Sequence, residues 1–336
     1  MINLSQILVE NKYLVNKLTD DYINKSLSQS LIIKGLKGVG KATFSFFLIK
    51  NIYSELTINN NKSHHINLIY NNSHPNIKYL KKEFDEKNNK LKNHITVEQI
   101  RTLSDFIHQS SFDKLPKFII IDSADDLNHN ASNALLKILE EPKNNTFFIL
   151  ISHQISSLLA TLRSRCVKMY IKSPSFEGFK KILLFHNDKL NLEEVCFLFD
   201  LSNGSPGLAL SLFADNMQNI YPNLLEILFE KDPLSSKVIN LSTSVSSYSN
   251  DQYKIYIFII KFILISILKI KVGYNFSAFF RSNIFQSLEK LSLSFEKIIC
   301  LEILEFLNSN ENDLFTYNLD KKIFNLNIFR PLSKIS

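Results

Sequence analysis

The short apolar run Leu31-Ile32-Ile33 opens directly into Gly35-Leu36-Lys37-Gly38-Val39-Gly40-Lys41-Ala42, which holds three of the chain's seven glycines. A chain that uses glycine so sparingly and places three within six residues needs backbone conformations there that other residues resist. The arrangement predicts a buried strand, a phosphate-binding loop and then a helix over Ala42–Leu56. Glycines let successive N–H groups turn inward around oxyanions, and Lys41 supplies a point charge for the outer phosphates. A dinucleotide fingerprint would need glycines at 38, 40 and 43, but position 43 is threonine. The residue after the lysine ought to carry a hydroxyl for Mg²⁺. Ala42 has none, and Thr43 sits one place further, about 100° round the helix.

Strand and helix signals alternate through the first half. Phe118-Ile119-Ile120-Ile121-Asp122 and Phe147-Phe148-Ile149-Leu150-Ile151 are continuous apolar runs, as expected of parallel strands buried on both faces. Thr96 and Gln99 are spaced as a capping box for a helix reaching about His108, and a second helix over Asn130–Glu141 is stopped by Pro142. The Asn-rich stretch 59–73 reads as a loop. His64, His65 and His74, in or beside it without cysteine or acidic partners, read as solvent-exposed rather than metal-binding. From about Ser173 strand signals fade and helical periodicities continue to the end, broken near 202–207, 242–251 and 308–313. The predicted fold is an α/β P-loop NTPase-like parallel-sheet domain followed by helices.

Charge and apolar patterning narrow the function classes. Residues 1–172 carry 23 lysines and arginines against 15 acidic residues, and the remainder carries 16 against 17, so the basic excess lies in the N-terminal half. That permits weak contact with a phosphate backbone. The run Ile255–Leu268 is interrupted by Lys261 and is too short to span a bilayer, which takes about 20 apolar residues, so a buried helix is expected and no membrane partner. Cys166, Cys196 and Cys300 lie far apart, giving neither a disulfide framework nor a cysteine zinc site. No signal peptide is read at the N-terminus, and a reducing cytoplasm is the expected compartment.

Asp122 at a strand end fits the carboxylate that holds Mg²⁺ opposite a phosphate loop, or else a residue capping the next turn. Arg163 and Arg165 stand out because the chain has five arginines against 34 lysines. A guanidinium can stabilise transferring phosphoryl oxygens as a lysine does not, the alternative being a surface ion pair.

Together the residues Gly35–Lys41, His74-Pro75-Asn76, Asp122-Ser123-Ala124-Asp125, Asn133–Pro142, Leu162-Arg163-Ser164-Arg165-Cys166 and Gly204–Ala209 resemble the clamp-loader family of AAA+ proteins. Within it, the resemblance is to delta prime subunits of bacterial DNA polymerase III, and it covers about the first 210 residues. It implies an AAA+ module over 1–172, a small helical lid over 173–212 and a helical collar over 213–336. It implies that Arg165, with Ser164, reaches in trans to ATP on a neighbouring subunit. Active relatives have Glu where this chain has Ser123 and a nucleotide-sensing Arg at Pro206-Gly207. With Ala42, these departures imply a degenerate nucleotide site at Gly35, Gly38, Gly40, Lys41, Thr43 and Asp122 that holds ATP or ADP weakly or not at all. Many relatives hold zinc with four cysteines between the loop and the His-Pro step. This chain has none there, so no zinc is expected.

The expected function is therefore a stator in a heteropentamer with tau/gamma and delta subunits, acting on the sliding clamp and on primed DNA through the complex. It would belong to a DNA-directed DNA polymerase (nucleotidyltransferase) holoenzyme without being the polymerase, and be at most a weak ATPase. The alternatives are a self-sufficient ATPase of the tau/gamma type, with Thr43 or a water replacing the missing hydroxyl, and a stand-alone DNA-binding protein.

Overall fold

The computed structural model describes residues 9–57, 59–85, 90–143, 145–274 and 282–334. The chain separates into two compact units, Met1–Ile182 and Leu183–Ser336. The first unit contains α1 (Lys12–Ile23), β1 (Ser30–Lys34), α2 (Lys41–Leu56), α3 (Asn59–Tyr70), β2 (Ile77–Leu80), the short antiparallel pair β3 (Phe84–Asp85) and β4 (Lys90–Leu91), α4 (Val97–His108), β5 (Lys117–Asp122), α5 (His129–Glu140), β6 (Thr146–Ser152), α6 (Ala160–Arg165) and β7 (Val167–Tyr170). Five strands form one parallel sheet in the order β2-β5-β6-β1-β7.

The continuous apolar runs are explained by period-2 alternation into two cores. Ile33, Phe118, Ile120, Ile149 and Ile151 pack with α1 and α2 residues such as Val15, Leu18, Phe44 and Leu48. Their neighbours Ile32, Ile119, Ile121, Phe148 and Leu150 pack on the other face with Ile100, Leu103, Leu135 and Leu162 of α4, α5 and α6. Every second residue serves a different layer, so the strands need apolar side chains throughout. The sheet class and the three strands read from the sequence are as expected. The sheet-edge strands β2 and β7, with half-exposed patterns, carried too weak a signal to be read.

α4 begins at the expected capping box of Thr96 and Gln99. Its other end is closed from outside: the buried Lys117 ammonium donates to the carbonyls of Phe106, Ile107 and Gln109. A cation at a helix C-terminus satisfies orphan carbonyls and complements the dipole.

Two expectations for the stretch 59–74 are overturned. Residues 59–70 form α3 rather than a loop. Lys62, His65, Ile66 and Ile69 share one helical face and are partly or fully buried, so packing overrides the poor propensity of an Asn-rich sequence. His65 and His74 are buried, at 1% and 4% exposure, and only His64 is exposed. The Asn76 N–H donates to His74 Nδ1 at 3.1 Å, which leaves the proton of a neutral His74 on Nε2, 3.1 Å from His65 Nδ1. His65 Nε2 lies 3.1 Å from Asp113 Oδ2, off the line of a hydrogen bond but within electrostatic reach. The acidic partner not read from the neighbouring sequence comes from 48 positions away along the chain, as Asp113.

The second unit is helical, as expected. α7 (Phe176–His186) runs across the boundary, followed by α8 (Leu192–Leu201), α9 (Pro206–Ala214), α10 (Ile220–Glu230), α11 (Ser236–Ser246), α12 (Asn250–Lys271), α13 (Ile284–Ser294), α14 (Lys297–Thr316) and α15 (Lys321–Phe329). The breaks near 202–207 and 242–251 are present, but α14 runs straight through 308–313. Ile303, Leu307 and Leu314 keep one buried stripe across it, and the Asn310 amide bonds back to the Phe306 carbonyl. The interrupted apolar run is α12, whose Lys261 meets Glu311 of α14 at 2.6 Å. No described helix is long and apolar enough to cross a membrane.

Candidate functional site

The glycine loop joins the end of β1 to the start of α2 at the carboxyl edge of the sheet, where open parallel sheets place their ligand sites. Gly38 and Gly40 adopt φ of +83° and +89°, and Gly40 is the N-cap of α2. A Cβ on Gly35 would stand 2.4 Å from the Ile171 carbonyl oxygen, so the loop is seated against the segment after β7. Lys41 is only 3% exposed, and its ammonium donates to the carbonyls of Gly35 and Leu36, both at 2.7 Å. The charge that the sequence assigns to outer phosphates is thus satisfied by the loop itself. Burial pushes Lys41 down to about 8, Asp122 and Asp125 pull it partly back, and Lys37 adds to the lowering. Ala42 packs on the α2-side core, and Thr43 is buried in the first turn of α2.

The carboxylates at and just beyond the end of β5 are engaged as well. Tyr79, on the neighbouring strand β2, donates its hydroxyl to Asp122 Oδ2 at 2.5 Å. Burial, reinforced by the charge of Asp122 and by this hydrogen bond, raises the Tyr79 pKa, so the phenol keeps its proton. Ser123 donates to Asp126 at 2.9 Å, and Asp126 also receives Lys82 at 3.0 Å. Asp125 accepts from the hydroxyls of Ser152 and Ser157 and from the backbone N–H of His153, tying this turn to the end of β6. Asp125 and Asp126, the carboxylates nearest Ser123 in sequence, are thus both engaged within the chain.

His153 lies beside this group, and the sequence reading did not single it out. It follows β6 directly and is partly buried, its Nδ1 has no partner, and burial together with the nearby Lys41 charge lowers its pKa. The available signal was positional, since the residue after β6 shares the sheet edge with Gly35 and Asp122.

Arg163, Ser164 and Arg165 lie in the six-residue helix α6. Arg163 has its Nε buried without a partner, whereas Arg165 is exposed. Arg165 donates Nη1 to the Thr161 carbonyl at 3.1 Å and Nη2 to Glu140 Oε1 at 2.7 Å, and Ser164 donates to the Thr161 carbonyl at 2.9 Å. Lys41 and Arg165 share none of these partners, so the structure sorts the expected site residues into a loop group and an arginine group. Farther along, Pro206 occupies the first turn of α9 behind the N-cap Ser205, a position suited to a residue with no N–H. Among the described residues no cluster of three or more His, Cys, Asp or Glu could hold a metal ion.

The family described as "DNA polymerase III, delta subunit" matches residues 10–175. A DNA polymerase III subunit delta′ of Pseudomonas aeruginosa is 36% identical over 132 residues, covering 39% of this chain and 40% of the relative. The subunit delta′ of Escherichia coli is 30% identical over 206 residues, covering 60% of each. A DNA polymerase III subunit gamma of Buchnera aphidicola is 27% identical over 214 residues, covering 62% of this chain and 57% of the relative. The matched stretches therefore span between two fifths and three fifths of these relatives' own lengths.

Proposed function

We propose, from the premise that the chain belongs over residues 10–175 to the DNA polymerase III delta-subunit family, that it is a delta prime type clamp-loader subunit acting as a stator. It works in the cytoplasm within a heteropentamer containing tau/gamma and delta subunits, during ATP-driven placement of the sliding clamp on primed DNA. Residues 1–172 form its AAA+ module, 173–212 its lid and 213–336 the collar that joins the ring.

The observation that carries this reading is the contrast between the two groups of site residues. Lys41 is held by loop carbonyls, Asp122 by Tyr79, and Ala42 offers no hydroxyl, so the chain's own loop is poorly equipped for Mg-ATP. Arg165 also has internal partners, Glu140 and the Thr161 carbonyl, but unlike Lys41 it stays 37% exposed in a basic turn, accessible to phosphate oxygens on another subunit. ATP or ADP binds at Gly35, Gly38, Gly40, Lys41, Thr43 and Asp122 weakly or not at all, and Arg165 with Ser164 serves the neighbour's triphosphate.

The test is a loader reconstituted with Arg165→Ala. DNA-stimulated ATP hydrolysis and clamp loading should fall while the subunits still assemble, and undiminished rates in an intact complex would overturn the reading. A second reading is an ATP-hydrolysing tau/gamma-type subunit, favoured by the similarity to the Buchnera subunit gamma. It requires the purified chain to turn over ATP and to lose that turnover in Lys41→Ala.

A further inference from the structure

Glu140 is the last residue of α5, and Glu141 follows it at the C-cap. Carbonyl dipoles already make that end of a helix negative, so two carboxylates there work against the helix's own field. A cation brought to the site offsets that cost, and Arg165 Nη2 reaches Glu140 at 2.7 Å. The second contact, Nη1 to the Thr161 carbonyl, turns the guanidinium back over its own helical turn. Two of the five guanidinium N–H donors of Arg165 are thus used inside the chain, while its side chain remains 37% exposed and that of Glu140 49% exposed.

We propose that Glu140 is a positioning residue for Arg165: it parks the guanidinium against α5 in the resting subunit and releases it to the neighbour's triphosphate when the ring closes. The inference rests on the trans-arginine reading above and adds the element that regulates it. A triphosphate offers several anionic oxygens in the planar, bidentate geometry that guanidinium favours, so it outcompetes a single solvated carboxylate. An exposed pair of this kind holds its partner weakly, enough to change the free arginine population by about two- to fivefold and no more. That is the scale of a bias on resting activity. α5 is a suitable carrier, since its N-cap Asn128 lies just beyond the Asp122–Asp126 turn and its last residue is Glu140, placing both on one rigid element.

The experiment uses the reconstituted loader with Glu140→Gln, Glu140→Asp, Arg165→Ala and the Glu140→Gln/Arg165→Ala double variant. ATP turnover is measured without DNA and with clamp and primed DNA, at low and high salt, after melting curves and gel filtration have matched the variants for folding and assembly. The expected result is that Glu140→Gln raises DNA-independent turnover about two- to fivefold while leaving the DNA-stimulated maximum close to wild type. The Asp variant should restore the wild-type ratio, high salt should erase the difference, and the double variant should fall to the Arg165→Ala level. If Arg165→Ala depresses turnover but Glu140→Gln keeps the wild-type ratio, or lowers both rates, the latch is wrong and the trans arginine stands. If Arg165→Ala has no effect, both ideas fall together.

Discussion

The Tyr79 hydroxyl lies 2.5 Å from Asp122 Oδ2 and so occupies the carboxylate that a magnesium ion opposite the glycine loop would require. Tyr79 also keeps its ring 5.6 Å from that of Phe46, so removing the hydroxyl leaves the packing in place. Tyr79→Phe combined with Ala42→Thr should therefore give the loop two missing elements, a free strand-end carboxylate and a hydroxyl after Lys41. Calorimetry on the full chain is expected to show ATP binding that tightens on adding Mg²⁺ in the double variant and little Mg²⁺ effect in the natural chain. Equal affinities with and without Mg²⁺ in both would mean that Tyr79 is not what closes the site.

The lowered pKa of Lys41 makes anion binding pH-dependent. With a folded value of about 8, the ammonium is mostly charged at pH 7 and mostly neutral at pH 9, whereas a phosphate beside it pulls the pKa back up. Binding must then take up a proton on the alkaline side. ATP affinity of the Tyr79→Phe/Ala42→Thr chain should fall about tenfold between pH 7 and pH 9. Calorimetry in buffers of different ionisation enthalpy should show close to one proton taken up at pH 9 and almost none at pH 7. Lys41→Met should abolish the uptake, and a pH-independent affinity in the lysine-bearing chain would count against a charged Lys41 in the complex.

The placement of the loop residues and their contacts differ in how far the sequence disclosed them. Gly35–Lys41 was legible because the loop's conformation needs glycine at fixed places, and Asp122 because an apolar strand ends on it. That Lys41 turns onto Gly35 and Leu36, or that Tyr79 covers Asp122, depends on strand order, which sets β2 beside β5 only after folding. The misreadings at His65 and His74 have the same origin. Histidine looks exposed when its neighbours in sequence are polar, and the partners that bury these two, Asp113, Tyr53 and Phe112, arrive from other elements.

That histidine pair predicts acid sensitivity in the first unit. Burial, with the nearby His65 and His64 adding to it and Asp113 opposing, lowers His74 to about 4 from the usual 6.5. A group with a depressed folded pKa contributes fully above pH 6.5 and loses that contribution as pH falls toward 4, because the unfolded chain takes up the proton first. The slope is about 1.4 kcal/mol per pH unit across that window. Denaturation of the natural chain followed between pH 7 and pH 4.5 should show this loss, and hydrogen exchange should report α3 opening early. His74→Asn should flatten the dependence; an unchanged slope would assign the acid sensitivity to other groups.

In the second unit, Asn325 is fully buried and connects three helices. Tyr256 of α12 donates to Asn325 Oδ1, the Asn325 amide donates to Ser242 Oγ of α11 at 2.8 Å, and Ser242 donates to the Val238 carbonyl at 2.7 Å. Each donor has its acceptor, so the network is satisfied only while Asn325 is present. Asn325→Ala strands the Tyr256 hydroxyl and opens a void, and should cost about 2–4 kcal/mol. Removing both polar partners with Tyr256→Phe/Asn325→Leu should recover part of that loss, since a buried pair replaced by apolar groups leaves nothing unsatisfied. Chemical denaturation of the full chain measures both. Were the double variant as unstable as the sum of its single substitutions, the penalty would come from packing volume rather than from the orphaned hydroxyl.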